Sequence, residues 1–118
     1  MKDGEHIEYY ESGEIRYKYN YLGGKLNGEN IYYYESGKIY SKCFYLDGKR
    51  HGESIKYFSS GDISYTMNYI DDNLHGESII YYKIGDIKYK YYYINDDLVT
   101  ELEWLSYNRN NKLELLGL

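Results

Sequence analysis

The residues with the chemistry for catalysis or metal binding are three histidines, one cysteine and a series of glutamates. His51 and His75 stand 24 positions apart, each directly before a Gly-Glu pair. Two imidazoles can hold a metal or pass a proton. Their equivalents one interval away are Asn27 and Val99. Strand spacing puts the two rings about 10 Å apart, too far to share one ion. A turn role is therefore expected for both, and a structural one for the isolated His6. Glu5, Glu29, Glu53, Glu77 and Glu101 recur at the same interval. Carboxylate pairs that cleave glycosides stand roughly 5 to 9.5 Å apart. A ladder repeated in every copy reads instead as scaffold, paired with lysines or solvated. "DDNLHGE", 71–77, fails as a calcium loop, because the twelfth position from Asp71 is Tyr82 and not Glu. Cys43 falls in one row with Tyr19, Met67 and Tyr91 and is expected to be a half-buried thiol. No nucleophile elbow, P-loop or dinucleotide fingerprint occurs. The expectation is a non-enzymatic chain with no cofactor and no metal.

One constellation remains for binding. Arg16, Lys18, Lys42, Lys56, Lys88 and Lys90 interleave with Tyr10, Tyr34, Tyr40, Phe44, Phe58, Tyr82 and Tyr92. Cations between aromatic rings on an open sheet can stack bases or sugars. The candidate binding face is Arg16, Lys18, Tyr34, Tyr40, Lys42, Phe58, Lys88 and Lys90, with an anionic polymer, a glycan or a lipid headgroup as ligand. The competing reading is a solvated face whose lysine stems cover the rings. The formal net charge of -5 and pI near 5.2 disfavour bulk attraction to nucleic acid or anionic membrane.

The elements that must position these groups follow from an uninterrupted period. Residues 4–27, 28–51, 52–75 and 76–99 align without an insertion, and 100–118 form a degenerate cap. Gly28-Glu29, Gly52-Glu53 and Gly76-Glu77 mark the starts of successive copies and read as structural positions. Such a period marks a stacked repeat fold. Each copy holds two extended runs, a turn at Gly13, Gly37, Gly61 or Gly85, and a second turn at "LGGK", "LDGK", "IDDN" or "INDD". That spacing predicts an all-β, single-layer antiparallel meander of stacked hairpins, with about nine or ten strands. The 118 residues are expected to form one repeat domain. Twenty tyrosines and no proline fit such a sheet, since Tyr brings a large apolar body and a hydroxyl that can stay wet. Simple alternation puts Ile7, Tyr9, Ile15, Tyr17, Tyr19 and Tyr21 on one face, with their equivalents in later copies.

"LDGKRHGESIKYFSSGD", 46–62, and "GKLNGENIYYYESGK", 24–38, resemble the MORN repeat, in particular the bacterial-type variant known from antitoxin components. The resemblance covers all four copies. It implies one hairpin per copy, stacked into an elongated twisted sheet, and a non-catalytic module for protein or lipid contacts. The chain departs from the standard Y-x-G-x-W pattern, and its single tryptophan is Trp104 in the tail. That departure speaks against phospholipid recognition.

The tail, "TELEWLSYNRNNKLELLGL", reads as a capping hairpin turned at "NRNN" or as a short amphipathic helix on Leu98, Leu102 and Leu105, with the hairpin preferred. Either way Trp104, Leu113, Leu115 and Leu116 are expected to cover the last copy. The first strand, Glu5–Tyr10, has no cap and is the candidate edge for self-association. One cysteine fits a reducing compartment, and neither a signal peptide nor a transmembrane span is read, so a cytoplasmic location is expected. The partner expected is a protein or a second copy of the chain.

Overall fold

A computed structural model describes residues 2–117, with Leu115 described by its backbone alone. The strands run β1 (Gly4–Tyr9), β2 (Ile15–Leu22), β3 (Lys25–Leu26), β4 (Gly28–Tyr33), β5 (Ile39–Leu46), β6 (Lys49–Arg50) and β7 (Gly52–Tyr57). They continue as β8 (Ile63–Ile70), β9 (Asn73–Leu74), β10 (Gly76–Tyr81), β11 (Ile87–Ile94) and β12 (Asp97–Val99), before helix α1 (Glu101–Leu115). All strands lie in one antiparallel sheet, in the order β1-β2-β4-β5-β7-β8-β10-β11-β12. The short β3, β6 and β9 pair with β2, β5 and β8 and lead into the next long strand. The sheet is a meander of hairpins, extending 55 × 41 × 21 Å with the helix.

Two turn types repeat. In the first, the Gly13 N–H donates to the Tyr10 carbonyl at 2.9 Å, and the same bond closes the turns at Gly37, Gly61 and Gly85. In the second, both central residues have positive φ: Gly23-Gly24, Asp47-Gly48, Asp71-Asp72 and Asn95-Asp96. That is the two-residue hairpin geometry matching strand twist, which Gly, Asn and Asp tolerate best. Gly28, Gly52 and Gly76 take φ of 98°, 84° and 105° where the chain leaves one hairpin and enters the next. A side chain is strained there, which fixes glycine in the Gly-Glu pair.

The faces differ from simple alternation. Residues paired directly across strands share a face. Ile7 pairs with Lys18 and Glu8 with Tyr17, so odd positions of the first strand stand with even positions of the second. A bulge then shifts the register, and Tyr9 meets Ile15. Ile7, Tyr9 and Ile15 therefore lie on one face, and Tyr17, Tyr19 and Tyr21 on the other. The later copies repeat this shift at Tyr33–Ile39, Tyr57–Ile63 and Tyr81–Ile87. Alternation failed because it assumed even pairing across the first turn and missed the bulge.

The two faces have different chemistry. On the isoleucine face, Ile7, Ile31, Ile55 and Ile79 stand opposite Lys18, Lys42, Thr66 and Lys90. On the tyrosine face, the Tyr17 ring stacks on Tyr32 at 4.0 Å and on Tyr19 at 4.4 Å, and His6 stacks on Tyr19 at 5.4 Å. Among the described residues only Tyr19 and Tyr92 are buried hydrophobics; the other buried side chains are Asn30, Thr66 and Ser78. A one-layer sheet cannot dry its faces, so ladders of rings and hydrogen bonds between copies replace a core.

The tail is a helix and not the preferred hairpin. Thr100 caps it: its hydroxyl accepts from the Glu103 N–H, and the Glu103 carboxylate accepts from the Thr100 N–H. This capping box, with Glu101 and Glu103 in the first turn and Lys112 in the last, outweighs any turn tendency in "NRNN". Trp104 does cover the last copy, stacking on Tyr92 at 6.3 Å and meeting His75 edge-on at 5.4 Å. Leu113 and Leu116 are exposed and do not. The side chain of Leu115 lies outside the described residues.

Candidate functional site

The histidine position is a clasp between successive turns. The Asn95 N–H donates to His75 Nδ1 at 3.3 Å, the Asp47 N–H to Asn27 Oδ1 at 3.3 Å, and the Gly23 N–H to Asp3 Oδ1 at 2.8 Å. Asp3, Asn27, His51 and His75 occupy one position of the period, and three of them hold the N–H of the next turn. Backbone bonds run in parallel, from Gly48, Asp72 and Asp96 to the carbonyls of Leu26, Arg50 and Leu74. Val99 has no acceptor at the equivalent place, and no further turn of the array follows it. Among the described residues no group of three or more His, Cys, Asp and Glu comes together as a metal-ligand set. The sequence carried a signal for this clasp, an acceptor side chain at every 24th position from Asp3, which copies counted from Gly4 leave out.

Aspartates lock the same turns. Asp72 Oδ1 accepts from the Arg50 backbone N–H at 2.9 Å and from its Nε at 3.0 Å. These bonds, the backbone one foremost, hold the Asp72 carboxyl below its ordinary value. The Arg50 guanidinium also lies 4.3 Å over the Tyr69 ring. Asp96 does the same for the Leu74 N–H at 2.6 Å.

The glutamate ladder divides. Glu29 pairs with Lys42 at 3.8 Å and Glu77 with Lys90 at 3.3 Å, on the isoleucine face. Glu53 stands opposite Asn68, and Glu101 lies in the helix. Cys43 is half-buried, and its sulfur takes a contact of 2.9 Å from the Ser54 hydroxyl.

The candidate binding residues do not form one surface. Lys18, Lys42 and Lys90 stand on the isoleucine face, and the last two are already paired with carboxylates. Arg16, Tyr34 and Tyr40 gather at the first-turn end of the other face, around a groove of about 320 Å³ that Tyr32 also lines. Phe58 lines a neighbouring pocket of about 410 Å³ with Tyr34, Tyr40, Lys56, Ser64 and Lys83. Lys88 lies 5.7 Å over the Tyr82 ring and 5.4 Å over Tyr89. Tyr34 also ties copies together: its hydroxyl donates to the Tyr57 carbonyl at 2.8 Å, as that of Tyr10 does to the Tyr33 carbonyl. Lys56 rests 5.2 Å over the Tyr40 ring, whose hydroxyl keeps its ammonium protonated above the ordinary range.

The edges of the sheet differ too. At the far end β12 is short and α1 follows it. At the near end β1 pairs only with β2, so one side of its backbone is free among the described residues. Its equivalents β4, β7 and β10 each accept the preceding copy on that side, through Tyr17–Tyr32 and Lys18–Ile31 and the matching pairs further on. No helix among the described residues is long and apolar enough to cross a membrane.

The profile of the MORN repeat variant family matches residues 2–22, 26–47 and 50–71, more than half of the chain. The fourth copy, 76–99, lies beyond those matches but keeps the same register, bulge and turns. No curated protein matches the chain. A repeat matched three times, on hairpins that stack with one recurring register, settles the relationship: the chain belongs to the MORN repeat variant family.

Proposed function

We propose that this chain is a non-enzymatic protein-interaction module of the cytoplasm whose β1 edge takes up a partner strand. The family supports an interaction module in general terms. The observation that carries the reading is the β1 edge: it offers outward the side that three equivalent strands inside the sheet use to hold a neighbour. Strand addition of this kind gains main-chain hydrogen bonds for the partner. A second copy is the first candidate. Antiparallel pairing of two β1 strands about Ile7 sets His6 of one copy opposite Glu8 of the other, and Glu5 opposite Tyr9, with no like charges facing. An antitoxin-like role, with one toxin as the partner, is the narrower form of this reading.

Light scattering across a concentration series tests it. The expected result is a species of twice the 14.2 kDa chain mass that Glu8→Lys converts to monomer. A native chain that stays monomeric removes self-pairing, and the β1 edge then requires a different strand. Loss of every captured protein partner in Glu8→Lys would support that, and unchanged capture would remove the edge from the reading.

A further inference from the structure

The third copy breaks the repeat pattern at one place. Where the other copies carry Tyr10, Tyr34 and Tyr82, it carries Phe58. At the bulge, where they carry Arg16, Tyr40 and Lys88, it carries Ser64. Along the first turns, Glu11 and Glu35 give way to Ser59 and then Lys83. These departures converge on the pocket of about 410 Å³. That volume lies within the usual range of small-ligand sites. Ser64 has a short side chain, and the equivalent groove one copy earlier, with Tyr40 at that position, is smaller, at about 320 Å³. The loss of Glu at the turn removes negative charge, and no Asp or Glu is among the lining residues.

What remains is complementary to one kind of molecule. Phe58 offers a ring face, Ser59 and Ser64 offer hydroxyls, and Lys56, which rests over the Tyr40 ring, and Lys83 offer ammonium groups. The Ser60 hydroxyl is taken by Asp62 at 3.1 Å, which leaves the other two serines for a ligand. Neither Lys56 nor Lys83 has a carboxylate within ion-pair distance among the described residues, whereas Lys25, Lys42, Arg50 and Lys90 do. Two cations without a paired carboxylate thus stand beside four aromatic residues, Tyr34, Tyr40, Tyr57 and Phe58.

We propose that this pocket binds a small anionic sugar, with the pyranose ring on the Phe58 face, its hydroxyls on Ser59 and Ser64, and its phosphate or carboxylate between Lys56 and Lys83. The site is open and shallow, so binding is weak, in the millimolar range, and selective for the combination of ring and charge. It shares no residue with the β1 edge, so failure of either leaves the other standing.

The test is a heteronuclear NMR titration of the full chain with glucose 6-phosphate, glucose, inorganic phosphate and galacturonate. Glucose 6-phosphate should shift the amides of residues 59–64 and 83, and should bind more tightly than glucose or phosphate alone. Lys83→Ala should weaken it roughly tenfold, the effect of losing one charge-assisted hydrogen bond. Ser64→Tyr, which restores the bulk of the second copy, should abolish it. Lys49→Ala, at a distant turn, should leave it unchanged. Tighter binding of oligogalacturonate than of galacturonate would assign the pocket to the end of an acidic polysaccharide, and equal binding to a free sugar. Glucose 6-phosphate binding no better than phosphate would overturn the proposal. So would Lys83→Ala binding as well as the native chain, which decides the matter even if Ser64→Tyr does not fold.

Discussion

Single residues at the turns reinforce the strand pairing that joins the copies. Asp72 adopts φ of 70°, uncommon for a residue with a side chain, and its carboxylate compensates by bonding Arg50 twice. Because the fold lowers the Asp72 pKa, its stabilisation is complete above the unfolded value of about 3.9 and is lost as pH falls through the lower folded value. Asp72→Asn should therefore unfold at a lower temperature than the native chain at neutral pH, and the gap should close in strong acid; thermal melts across that range would show it. Tyr34→Phe removes the hydroxyl bonded to the Tyr57 carbonyl and should cost about 1 kcal/mol in urea unfolding. The sequence made some of this legible. The recurrence of His51 and His75 marked them as turn residues, and Cys43 fell in the row expected of it. Which atom a turn residue bonds was not legible, because the partner lies about one copy away in the chain and comes near only through register.

At the scale of elements, the hairpins were readable and their faces were not. Gly turns, period-two runs and the 24-residue interval specify strands without ambiguity. Face assignment depends on a bulge whose only sequence trace is a second strand that begins with Ile and then reverses parity. The helix was legible in principle through Thr100-x-x-Glu103, but "NRNN" offered a competing turn. Thr100→Ala breaks the capping box and should destabilise the helix by about 1 kcal/mol. Faster amide exchange in residues 101–107, with exchange in β1 to β8 unaltered, would confirm that the helix depends on its own cap. Slower exchange, or none of these changes, would mean that packing of Trp104 on Tyr92 holds it instead. The candidate binding residues scattered for the same reason as the faces: Arg16, Tyr40 and Lys88 sit at the bulge, so they part from Lys18, Lys42 and Lys90.

For the molecule as a whole, a sheet held by tyrosines should be weak toward alkali. Burial raises the pKa of Tyr17, Tyr45 and Tyr69, with the Tyr32 hydroxyl adding to the effect at Tyr17. The folded state thus favours the neutral phenol, and this contribution is complete below the unfolded value of about 10 and is lost as pH rises through the raised folded values. Melting temperature should fall as pH rises above about 10, in step with tyrosinate absorbance. A flat profile would mean that the ring ladders contribute little. The joints between copies have a further consequence. Every copy meets the next through the same two paired positions and the same stacked turns, with the clasp added at two of the three joints, so the strand pairing carries no address that names a neighbour. Removing residues 52–75 would bring His51 before Gly76, as His75 stands now. A gene that gained or lost one such unit would lengthen or shorten the sheet by about 10 Å without inventing a contact. The open edge and the helix would then act as two fixed ends of a ruler whose graduations are set by recombination.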